Sequence, residues 1–140
     1  MTVDELIDFY HGLAPESIVR FPDFYSADAY FKDPFNEVRG VAAIQHIFSH
    51  MFRQVGAPRF VVSEQVVDEH GAVLVWTFHY LVRKWGKDEA EMIRGVSHLK
   101  FAADGRVNFH RDYWDAAEEL YMKLPVLGML MRRLRRALAA

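Results

Sequence analysis

The sequence predicts a single α+β domain in which N-terminal helices cover one face of a mainly antiparallel sheet, followed by a helical tail. Three observations lead there. The 140 residues, 51% of them apolar, fit one compact domain. Both ends of the chain repeat their apolar residues at helical spacing. Between Arg59 and Trp114 lie long β-rich runs whose separators are too short for a helix, which excludes a βαβ alternation and points to hairpins.

Thr2 and Glu5 have the spacing of a capping box, and Val3, Leu6, Ile7, Tyr10 and Leu13 follow at helical intervals, so a first helix runs to about Gly12. Pro15, Ser17 and Pro22 punctuate one or two brief helices ending near Asp28. Ala29 to Phe35 is short and aromatic, closed by Pro34 and Gly40, as suits a strand entering a hairpin. Val41, Ile44, Ile47, Phe48, Met51, Phe52 and Val55 trace the stripe of a second long helix, opposite Gln45, His46, Ser49, His50 and Arg53. Strands are expected over 59–68, 72–84, 89–102 and 106–114, turning at Gly71, Gly86 and Asp104-Gly105. After Asp115 the helical pattern returns, through Met122 and, past Pro125, to the end. The chain divides into one domain over 1–115 and an amphipathic, basic helical extension over 116–140. Strong curvature of the sheet would leave a cone-shaped pocket between the two layers.

Composition narrows the function. The chain has 11 Phe, 6 Tyr and 3 Trp, enough to line a cavity as well as fill a core. With no Cys, thiolate nucleophiles, disulfides and zinc-thiolate sites are excluded. The net charge of −2 gives no argument for nucleic acid, and no phosphate-binding glycine loop or nucleophile-elbow sequence is present. Asp4, Glu5 and Asp8 stand where a signal peptide would be basic, so a soluble, cytoplasmic protein is expected. The charge is divided unevenly. From Lys123 onward there are five basic residues and no acidic one, leaving the rest of the chain at −7.

Four segments together carry a resemblance: Ala29 to Phe35, Gly40 to Ile44 opening a helix, Gly95 to Phe101, and the turn Asp104 to Val107. From about Leu6 to Trp114, they and the order of elements resemble the nuclear transport factor 2-like superfamily, most closely its steroid Δ-isomerase and SnoaL-like polyketide-cyclase branches. The resemblance implies a cone-shaped α+β barrel with a curved, mainly antiparallel sheet, a pocket for a small hydrophobic molecule, and homodimers. In the isomerase branch an Asp before Pro is the proton-shuttling base, and Asp33-Pro34 is similar. Tyr10 matches, to within one residue, a tyrosine that donates to the developing enolate oxygen. Ser97 before His98 stands where that branch has a protonated Asp, and a serine is a weaker donor. Trp114 falls at a pocket aromatic, which implies that His110 and Asp112, alternating with it and with Asn108, also face the pocket. Its walls are expected to include Tyr30, Phe35, Phe48, Phe52 and Leu99.

Each of these residues has a plainer role. The segment Asp33 to Asn36 is good hairpin-turn chemistry, so Asp33 fits a turn as well as a base in an apolar pocket. His110 and Asp112 fit a proton-transfer pair, or else a salt-bridged strand end with Arg111 paired outside and Asp115 capping the next helix. Burying a polar strand face without purpose would be costly, which favours the pair. His46 and His50 have metal-ligand spacing but lie on a polar helix face without a third ligand, so no metal is expected, and His79 and His98 are given no catalytic role. In the tail, Leu127, Leu130, Met131, Leu134 and Leu138 form a stripe beside Arg132, Arg133, Arg135 and Arg136. That stripe suits packing on the protein's own subunit or a partner, or contact with an anionic membrane.

Two functions follow. One is a cofactor-independent isomerase- or cyclase-type enzyme moving protons on a small hydrophobic carbonyl compound, with Asp33, Tyr10, Ser97, His110 and Asp112 as its polar groups. The other is a non-catalytic module that binds an apolar ligand or dimerises.

Overall fold

A computed structural model describes residues 1–119 and 125–139. Helix α1 (Val3–His11) starts on the expected capping box: Thr2 N donates to Glu5 Oε2 at 2.6 Å and Glu5 N to Thr2 Oγ1 at 3.2 Å. A 3-10 turn (Pro15–Arg20) and α2 (Phe21–Phe24) lead into β1 (Tyr25–Lys32). This strand begins four residues before the expected Ala29 and stops before Phe35. After β2 (Glu37–Arg39) comes α3 (Val41–Gln54), then β3 (Gly56–Asp68), β4 (Gly71–Lys84), β5 (Lys87–Phe101) and β6 (Val107–Tyr113). The helices α4 (Ala116–Glu119) and α5 (Pro125–Leu138) follow, and the rest of the first of the two expected tail helices, from 120 to 122, lies outside the described residues.

Among the described residues the six strands form one open sheet in the order β2-β1-β6-β5-β4-β3. The meander from β3 to β6 pairs antiparallel, as the short turns require. The pairing of β1 with β6 is parallel, and its register slips between Tyr25 and Tyr30. Burial on β4 alternates from Gly71 to Tyr80, placing Ala72, Leu74, Trp76, Phe78 and Tyr80 inward. On β6 a bulge opposite Lys100 and Phe101 turns Val107 inward and leaves Asn108 exposed, so Asn108 does not share the face of His110 and Asp112.

The core lies between this inner face and α1 to α3, and it is strongly aromatic. Phe9 stacks on Phe24 at 4.1 Å and meets Phe21 edge-on at 5.2 Å, while Phe21 packs on Phe48 at 4.8 Å. Tyr25, at the start of β1, is wholly buried among them. The tail differs from the packed helix anticipated for its own subunit: Leu127, Leu130, Leu134 and Leu138 are all exposed. Among the described residues no helix is long and apolar enough to cross a membrane.

Candidate functional site

A line of buried polar groups crosses α1 and four strands of the sheet. Tyr10 on α1 contacts Tyr25 on β1, hydroxyl to hydroxyl, at 2.7 Å. The Tyr25 hydroxyl lies 2.7 Å from His110 Nδ1, and His110 Nε2 lies 2.6 Å from Asp112 Oδ1 on the same strand. Ser97 on β5 donates to the same Oδ1 at 2.5 Å and accepts from Trp76 Nε1 at 2.8 Å.

The direction of this chain follows from what each group can do. An indole N–H only donates, so the Ser97 oxygen accepts it and the Ser97 proton goes to Asp112 Oδ1. Oδ1 also accepts His110 Nε2–H. In the neutral ring Nδ1 is then the acceptor, so Tyr25 donates to it and accepts from Tyr10. From both ends the donors converge on one carboxylate oxygen. Among the described residues Asp112 Oδ2 receives none of these bonds. The Asp112 side chain keeps 14% exposure, against 4% for His110. Burial pushes the Tyr10 and Tyr25 hydroxyls well above the ordinary tyrosine range, and the Asp112 carboxylate acts in the same direction.

Local sequence explains the placement. Tyr10 is one turn after Leu6 on the buried stripe of α1. His110 and Asp112 alternate inward on β6, and Ser97 is the register partner of Asp112. Trp76 pairs across the strands with Gly95, where a Cβ would fall 2.4 Å from the indole Cη2. Glycine at this position lets the ring lie flat over β5 and bring its nitrogen to Ser97.

Asp112 borders a cavity of about 380 Å³ whose wall includes Phe31, Phe48, Phe78, Ile93 and Trp114. Phe35, 56% exposed, meets Trp114 edge-on at 5.5 Å and also lines it. A narrow inner recess continues to Tyr10, Ser97 and His110. The exposed His46 and His50 stand on the cavity wall on α3.

The structure therefore brings Tyr10, Ser97, His110 and Asp112 together. Asp33 borders the same cavity but is engaged in a turn: its Oδ1 accepts Phe35 N at 2.8 Å and Asn36 N at 2.7 Å, and Asn36 Nδ2 lies 3.1 Å from both oxygens. Phe35, Phe48 and Trp114 line the cavity. Tyr30 does not. It lies on the other sheet face, stacked on Phe109 at 5.2 Å with its hydroxyl on Glu37, because strand alternation puts Phe31 inward instead. Leu99 is fully buried core beside His110, and on α3 the wall takes Met51 rather than its half-buried neighbour Phe52. Sequence reasoning missed Tyr25 and Trp76. A lone glycine inside a long strand, Gly95, was the one signal of a side chain crossing there.

A family described as a SnoaL-like domain matches residues 6–110. Among solved structures, a protein described as a putative SnoaL-like polyketide cyclase, from Shewanella putrefaciens, is 20% identical with a TM-score of 0.68, covering 88% of this chain and 99% of that one. A protein with a ketosteroid isomerase-like fold from Catenulispora acidiphila, in complex with trimethylamine, is 11% identical with a TM-score of 0.68, covering 84% and 88%. TerC, co-crystallised with polyporic acid, is 15% identical with a TM-score of 0.69, covering 83% and 92%. At these identities the likeness is one of fold. No curated protein matches the chain.

Proposed function

The chain belongs to the SnoaL-like domain family, and on that premise we propose that it is a cofactor-independent enzyme of the isomerase or cyclase kind. It moves a proton on a small hydrophobic carbonyl compound held in the cavity beside Asp112. The observation that carries this reading is the asymmetry of the Asp112 carboxylate. One oxygen is fixed by His110 and Ser97, while the other has no partner among the described residues, at the edge of an apolar space. A base needs that arrangement: an oriented carboxylate, largely desolvated, with one oxygen open to a carbon acid.

Asp112 Oδ2 takes the proton from a carbon next to the carbonyl, the electron pair moves onto the carbonyl oxygen, and the protonated Asp112 returns the proton to the carbon that completes the product. Proton count and charge balance over the cycle. His110 and Ser97 hold the carboxylate plane throughout, and the two tyrosines fix the His110 tautomer. Asp33 shapes the turn that presents Phe35 at the cavity.

The test uses a panel of apolar cyclic and aryl ketones in D2O, with exchange at the α-carbon followed by NMR. The expected result is protein-accelerated exchange on at least one ketone, falling by about 10²–10⁴ in Asp112→Asn. Asparagine keeps an acceptor for Ser97, so the fold should survive. Unchanged exchange in Asp112→Asn sinks the assignment. Saturable ketone binding with no exchange by the native chain makes the protein a binding module.

A further inference from the structure

We propose that α5, together with the indole of Trp85 at the β4–β5 turn, docks this protein on anionic lipid bilayers. The inference stands apart from the chemistry assigned to the cavity.

Helix α5 is 14 residues long, on the order of 20 Å. Leu127, Leu130, Leu134 and Leu138 recur at intervals of three and four along it and are between 37% and 79% exposed. At 100° per residue, Arg133 and Arg135 flank this stripe on opposite sides, with Arg132 and Arg136 behind them. All four arginines are exposed, and no acidic residue occurs from Pro125 to the end of the chain. A helix with a bare leucine stripe edged by arginines suits the headgroup boundary, where leucines enter the acyl region and arginines reach the phosphates.

Trp85 is an independent observation. It is 99% exposed, between Lys84 and Lys87, which are register partners, so it forms a two-residue turn with Gly86. Its φ is 53° and that of Gly86 is 75°, a turn that ordinarily takes Asn, Asp or Gly at the first position. A tryptophan there strains the backbone and buries nothing within the fold. Indoles are favoured at the membrane–water interface. Two of the three basic residues of the tip are offset, since Arg83 faces Asp88 at 3.7 Å and Lys84 faces Glu89 and Glu91 at 3.5 and 3.0 Å, and Lys87 is the third. The tip therefore offers an indole, and α5 supplies the charge. The chain also leaves the sheet on this side: β6 ends opposite Val96, and Glu119 and Glu118 of α4 hold Arg94 at 2.8 and 3.4 Å, further along β5 toward the Trp85 turn.

The experiment is flotation of the full chain with vesicles of phosphatidylcholine alone and of phosphatidylcholine mixed with phosphatidylglycerol, alongside tryptophan emission and sedimentation velocity. Binding is expected on the mixed vesicles, about tenfold or more above neutral ones and weakening as salt rises. Arg133→Glu with Arg135→Glu, and separately Leu130→Gln with Leu134→Gln, should each lower it about tenfold or more. Trp85→Asn should weaken it by a few-fold and remove most of the vesicle-induced blue shift. Asn suits the turn, so that variant should fold, and circular dichroism checks the others. Background binding of the native chain to mixed vesicles overturns the proposal, as does undiminished binding by the leucine variant. Loss of a dimer in the leucine variant without loss of vesicle binding assigns the stripe to a second copy and also overturns it.

Discussion

Replacing Gly95 with alanine puts the Trp76–Ser97–Asp112 arm of the site to the test. The added methyl would sit 2.4 Å from Cη2, 2.5 Å from Cζ2 and 2.9 Å from Cζ3 of the Trp76 ring. Carbon atoms need about 3.5 Å, so the indole must retreat by roughly 1 Å. It has little room, being 6% exposed with Phe60 edge-on at 5.6 Å. Forcing a group into such a space costs about 1–3 kcal/mol, and loosening the 2.8 Å bond from Nε1 to Ser97 adds about 1 kcal/mol. The sum, about 2–4 kcal/mol, corresponds to a fall in Tm of about 6–12 °C for a chain of this size. Thermal unfolding followed by near-ultraviolet circular dichroism measures it. In a Trp76→Phe background the outer ring carrying the three crowded atoms is gone, so Gly95→Ala should there cost less than about 1 kcal/mol. A Tm within about 2 °C of the native value, or an equal loss in both backgrounds, would refute the argument.

Two further outcomes follow from the site. Because burial holds Tyr10 and Tyr25 protonated above the ordinary tyrosine value, the unfolded chain releases their protons first as pH rises. Their contribution to stability is therefore complete below about pH 10 and declines above it, at about 1.4 kcal/mol per pH unit for each. Tyrosinate absorbance should show these two of the 6 tyrosines silent until the protein unfolds, and Tyr25→Phe should reduce the steepness of alkaline unfolding. At the turn, Asp33→Ala removes the acceptor for Phe35 N and Asn36 N and should lower stability by about 1–2 kcal/mol in urea, whereas Asp33→Asn keeps an acceptor and should fall by less than about 0.5 kcal/mol. Asp33→Asn should also retain ketone exchange, in contrast to Asp112→Asn.

Much of the domain is legible along the chain because its determinants are local. The capping box at Thr2 and Glu5, the stripe of α3 and the alternation on β4 each express one residue's relation to neighbours a few places away. The family resemblance marked Ser97 as a site position and, through Trp114 and strand alternation, implied that His110 and Asp112 face inward. Alternation failed at Asn108, where a bulge shifts the phase, and it held at Tyr30, where it turns Phe31 inward and Tyr30 to the other face.

The order of helices and strands and the antiparallel meander were thus determined by the sequence itself. Only the tertiary structure decided how the polar groups connect. Tyr25 reaches His110 across 85 residues because β1 runs parallel beside β6, and no periodicity within either strand encodes that pairing. Trp76 reaches Ser97 because the opposing position on β5 lacks a Cβ. Asp33 and Asp112 are equally plausible bases as residues in a list. Their hydrogen-bond geometry differs: a turn engages both oxygens of Asp33, while the sheet fixes one oxygen of Asp112 and leaves the other without a partner among the described residues.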